Sequence, residues 1–126
     1  MNATELMLGD LVMVSGKPMH VTFAMMHAGI EVKPIPLTPE ILEKNGFEMH
    51  LCDADDGNRR YYECADWNIG WCIDIYPLPN GDYYMEIGSR MDRHMTQTRI
   101  YRVISSVHEL QHGIKYGEIE KEVVVC

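Results

Sequence analysis

His108-Glu109-Leu110-Gln111-His112 is the stretch whose residue types and spacing could do chemistry. Two histidines one helical turn apart can offer imidazole nitrogens to zinc, and a glutamate after the first can take a proton from the metal's water. The chemistry would be that of a zinc-dependent hydrolase, with His108 and His112 as ligands and Glu109 as catalytic base. Catalytic zinc needs a third protein ligand, and only 14 residues follow His112. Glu118 falls at the spacing of a metzincin-like third ligand, but Lys115 stands where that pattern needs a glycine to turn the chain.

The element that must position these groups argues for a plainer role. Ser106-Val107-His108-Glu109 reads as a capping box: the Ser106 hydroxyl accepts from the Glu109 N–H, and the Glu109 carboxylate returns to the Ser106 N–H. A helix of about ten residues then runs to Gly117, with Val107, Leu110 and Ile114 as its apolar stripe. At ~100° per residue both histidines point well over 90° from that stripe, towards solvent or a rim. Glu109 is committed to the cap. The expectation is a capped amphipathic helix with two exposed histidines, no catalytic residue and no metal; the zinc site of His108, His112 and Glu118 is the alternative.

Other groups of chemical interest have ordinary explanations. Arg90, Arg93, Arg99 and Arg102, with His94, form the one basic cluster, a candidate anion or nucleic-acid patch that reads more simply as a solvated strand edge and loop. The formal charge of −8, from 11 basic and 19 acidic side chains, repels phosphates unless such a patch overrides it. Asp53, Asp55 and Asp56 suggest calcium, but Asn58 and Cys64 occupy the loop positions where an EF-hand needs glycine and glutamate. Cys52, Cys64, Cys72 and Cys126 contain no CxxC pair and read as reduced, mostly buried thiols. Tyr76, Tyr83 and Tyr84 could stack on a ligand, although aromatics at strand spacing more often pair across strands. Met25-Met26 and the other methionines suit core gaps or a pliable interface.

The clearest structural punctuation is Ile35 to Phe47, IPLTPEILEKNGF. Thr38 can cap, Pro39 suits the first helical position, Glu40 favours the positive end of the dipole, and Asn45-Gly46 ends the helix. Before it, residues 6 to 14, a strand from Met19 to Met25 and a strand from Ile30 to Ile35 predict a three-stranded SH3-like element. After it, strands at 48 to 52, 60 to 67, 71 to 78, 82 to 87 and 99 to 104 predict an antiparallel sheet, with Asn80-Gly81 as its surest hairpin turn. Gly88 to Thr98 reads as a polar loop, and the tail from Glu118 as a last strand or extended arm. The fold class is therefore α+β in a single domain: an SH3-like element over 1–37, a helix over 38–47, and a sheet with its covering helix over 48–126.

With its ELMLGDLVMVSGKPMHVT, PIPLTPEILEKNGF, IYPLPNGDYY and RIYRVISSVHELQHGI stretches, the chain resembles a family of uncharacterised small proteins of gut Bacteroidales and their phages or mobile elements. In similar sequences the position of His112 is often asparagine, so the resemblance implies no shared zinc site. It says little about activity, since the family has no assigned enzyme function; the expectation is a non-enzymatic interaction protein, an accessory or host-modulating factor of a mobile element. The N-terminal stretch has no basic region followed by an apolar run, and no window approaches a membrane span, so a soluble cytoplasmic protein is expected. The expected partner is another protein rather than nucleic acid or membrane, with homo-oligomerisation left open and no cofactor.

Overall fold

The computed structural model describes residues 6–51, 60–90 and 96–125. The N-terminal part is a three-stranded antiparallel sheet in the order β2-β1-β3, formed by β1 (Leu11–Val14), β2 (Lys17–His20) and β3 (Lys33–Pro34). Ser15 and Gly16 both adopt positive φ at the β1–β2 turn, the geometry that matches hairpin twist. The strand expected from Met19 to Met25 stops at His20, because Thr22 accepts from the Met25 N–H and starts the short helix α1 (Phe23–His27). The third strand is likewise shorter than expected. Pro34 sits on it at a sheet edge, where its lack of an N–H is tolerated.

The central helix α2 (Pro39–Lys44) forms as the punctuation requires, with Thr38 accepting from the Ile41 N–H and Phe47 folding back under Leu42. The proline-rich run ahead of it does more than connect. Leu37 donates to the Ser105 carbonyl and Val107 donates to that of Ile35, strapping the run to the start of the C-terminal helix. Ile35 and Leu37 are buried there.

The second sheet has five antiparallel strands in sequence order: β4 (Glu48–Leu51), β5 (Arg60–Asp66), β6 (Trp71–Pro77), β7 (Tyr83–Arg90) and β8 (Thr96–Ile104). β7 and β8 run through much of the stretch expected to be a loop, carried past Ile87 by a register shift at Ile87/Gly88. The segments 52–59 and 91–95, including the acidic turn Asp53 to Asn58, lie outside the described residues.

Tyr62, Ile73, Ile75, Met85, Ile87 and Ile104 turn to one side of this sheet and meet the helix α3 (Val107–Tyr116) through Val107, Leu110 and Ile114. Gly113 lets the helix approach: a Cβ there would drive into the Met85 side chain. The other side of α3 faces β1. Among the described residues no strand follows α3; the tail buries Ile119 and Val123 and is clasped by Asn45, whose side chain donates to the Val124 carbonyl at 2.7 Å and accepts from its N–H at 2.8 Å. The architecture is α+β, as the sequence pattern indicates.

Candidate functional sites

Two surfaces concentrate chemistry-bearing residues: the HELQH helix and the sheet face turned away from it.

On α3 the histidines are not exposed. His108 is buried at 5% accessibility, and the His112 side chain is 12% accessible. Wheel geometry does aim them away from the Val107, Leu110 and Ile114 stripe, but the N-terminal sheet waits on that side. His112 donates from Nε2 to Asp10 Oδ2 at 2.7 Å, and Asp10, 3% exposed, also accepts from the Met7 N–H at 2.7 Å. Gln111 completes the seam: its Oε1 accepts from the Leu11 N–H at 2.7 Å and its Nε2 donates to the Gly9 carbonyl at 3.2 Å. Gln111 and Asp10 carry no periodic signal, so the seam could not be read from the helix alone.

The cap also differs in detail from the box that the sequence suggests. Ser106 makes no side-chain bond to the helix N–H groups. Glu109 Oε1 instead accepts from the Ser106 hydroxyl at 2.7 Å, the Ser105 hydroxyl at 3.0 Å and the Ser105 N–H at 3.1 Å. The Ser106 proton being spent on Glu109, His108 must donate from Nδ1 to the Ser106 oxygen, 3.1 Å away. Burial would raise the Glu109 carboxyl, but the hydrogen bonds from Ser106 and Ser105, helped by His108, outweigh it and hold the group below its ordinary range. Such a carboxylate is a weak base near neutrality.

The two rings meet edge to face with centroids 5.6 Å apart, and Glu118 is an exposed residue at positive φ beyond the helix end. It does not line the cleft of about 460 Å³ that opens beside His112. Among the described residues no group of three or more His, Cys, Asp or Glu side chains is placed to hold a metal ion. The cleft sets Lys115 and Lys121 against Asp10, Glu120 and Glu122, and so selects neither sign of charge.

Of the basic cluster, Arg93 and the side chains of Arg90 and Arg99 lie outside the described residues. Arg102 lies over the Tyr116 ring of α3, 5.5 Å from its centroid, rather than joining an outward patch. Cys64 is partly buried and Cys72 buried, and neither is in a disulfide. Met25 and Met26 line an open pocket of about 360 Å³ with Leu6, Val21 and Ile30 and the charged Glu31 and Lys33, a pliable rim rather than a filled core.

The outer sheet face is organised in two rows across the strands. His50, Tyr61, Tyr76, Tyr84 and Tyr101, one from each strand, pack in sequence with centroid separations of 5.4, 5.4, 6.3 and 6.1 Å. Cross-strand pairing is thus what Tyr76 and Tyr84 do, while Tyr83 points into the core. At these separations the inner rings spend their faces on one another. Tyr101 ends the row at the β8 edge, 61% exposed.

Beside the rings runs a row of carboxylates. Glu48 opposes Glu63, Glu63 opposes Asp74, and Asp74 opposes Glu86 in direct register. Asp74 shows the consequence: burial first, then a shared hydrogen bond and charge repulsion with Glu63 and repulsion from Glu86, push its carboxyl up to about 8. Its Oδ1 is buried without a hydrogen-bond partner. No helix among the described residues is long and apolar enough to cross a membrane. No family model, curated protein or solved structure matches the chain, so the reading of these surfaces rests on their own geometry.

Proposed function

We propose that this protein is a non-enzymatic interaction module, an accessory factor of a phage or mobile element, and that it meets its protein partner through the outer face of the five-stranded sheet. The observation that carries the reading is the carboxylate row. Carboxyl groups placed directly opposite one another on neighbouring strands repel when ionised and destabilise a sheet; here the arrangement repeats across four strands, with Asp74 kept protonated at neutral pH by burial and by its neighbours and one buried oxygen left unsatisfied. Nothing in the packing of the fold is improved by it. Features that oppose stability without helping the fold are where function is expected.

The same face disfavours nucleic acid, since a carboxylate row repels phosphates and the stacked rings have few faces to offer a base. The HELQH groups, by contrast, are consumed by contacts that hold the two sheets and the helix together. Photo-crosslinking in a Bacteroidales host extract tests the assignment. A benzophenone side chain replacing Tyr101 on the outer face should yield a discrete protein adduct, whereas the same group replacing Lys121 in the cleft should not. Adducts from the cleft alone would reverse the assignment.

A further inference from the structure

The chemistry of the outer face narrows the partner. We propose that the face receives an extended, arginine-bearing segment of the partner protein, laid across the strands along Glu48, Glu63, Asp74 and Glu86. This rests on the outer face being the recognition surface, and it adds the chemical class of what is recognised.

Charge complementarity is the first argument. The row is anionic, it lies on a chain of net charge −8, and a cationic segment is the occupant that relieves its internal repulsion. Geometry is the second. Strands about 4.8 Å apart place the four carboxyl groups over roughly 14 Å, with Glu48, Glu63 and Glu86 carrying the charge while Asp74 holds its proton, and an extended chain repeats its side chains on one face about every 6.8 Å, so three alternate cations span the same length. The third argument selects arginine over lysine. A planar guanidinium can fork onto a carboxylate, and at the β8 edge it can also lie on the outer side of Tyr101, where no further ring of the row follows.

The test is isothermal titration calorimetry of the full chain with an octapeptide alternating arginine and threonine, against its lysine and glutamate counterparts. The arginine peptide should bind, the lysine peptide more weakly, and the glutamate peptide not at all. Glu63→Gln with Glu86→Gln should weaken arginine-peptide binding by at least about tenfold, with circular dichroism unchanged. Glu120→Gln with Glu122→Gln removes the same charge from the cleft side and should leave binding as it was. Tyr101→Leu should narrow the preference for arginine over lysine. No binding, or equal losses in the two glutamine pairs, would overturn the proposal; in the second case net charge alone would explain the affinity. Should the peptide fail while crosslinking from position 101 still yields its adduct, the recognition face stands and the cationic partner falls. If both fail, the reading of the face falls with it.

Discussion

Glu109 looks like a catalytic base in the sequence and behaves as a cap in the fold. Three donors converge on one of its oxygens, so Glu109→Ala should cost about 1–2 kcal/mol in urea unfolding at neutral pH. Because its carboxyl is held below the usual range, the group's contribution is present above the unfolded carboxylate range and is lost as pH falls through the lowered value. The wild-type and mutant stabilities should therefore converge in acid. Asp74 runs the other way. With its carboxyl raised to about 8, the folded state holds a proton that the unfolded chain has released, and stability falls as pH rises from the ordinary carboxylate range towards 8. Asp74→Asn should remove that slope and leave the variant more stable than wild type at pH 8 and above. Urea titrations at pH 5 and pH 8.5 read the Asp74 change, and a further one in acid, below the ordinary carboxylate range, reads the Glu109 convergence; a steeper fall in Asp74→Asn would show that the sign is wrong.

At the scale of the element, α3 is a strut between two sheets rather than a lid on one. Its Gly113 contact with Met85 and its Gln111 and His112 contacts with the N-terminal sheet are set on different sides of one helix. Gly113→Val should cost about 1–3 kcal/mol through overpacking against Met85. Asn45 plays a comparable part at the other end, tying α2 to the tail through Ile41 and Val124. Asn45→Ala should cost about 1–3 kcal/mol and speed hydrogen exchange at the Val124 amide, since both partners lose a buried hydrogen bond. If exchange at Val124 is unchanged, the tail is held by Ile119 and Val123 alone.

The sequence made some elements legible and hid others for physical reasons. Thr38-Pro39 and Asn45-Gly46 act through their own backbone geometry, so α2 could be bounded within a residue or two. Asn80-Gly81 marked its hairpin in the same local way, with Gly81 at positive φ. Thr22 offered an equally local cap, but MHVTFAM is rich enough in strand formers to mask the short α1. The loop expected from Gly88 to Thr98 is too long at both ends, where β7 runs on to Arg90 and β8 begins at Thr96, because these short polar stretches carry no apolar alternation to mark a strand. Burial of His112 depended on a layer contributed by residues about 100 positions earlier in the chain. The carboxylate row was hidden for a similar reason: Glu48, Glu63, Asp74 and Glu86 become neighbours only once four strands have taken register.

At the scale of the whole molecule, the groups that resemble an active site hold the layers together, while the surface that opposes stability lies on the opposite side of the larger sheet. Asp10 is the sharpest instance of the first half, buried and accepting from both Met7 and His112. The second half is the central claim, and the unfolding free energy of Glu63→Gln with Glu86→Gln tests it most directly. Removing two of the like charges should make the protein more stable than wild type at neutral pH, by about 0.5–2 kcal/mol in urea denaturation, because each glutamine relieves cross-strand repulsion and can donate to Asp74. A double variant less stable than wild type would contradict the account, for the row would then be part of what holds the sheet together rather than a cost carried for recognition.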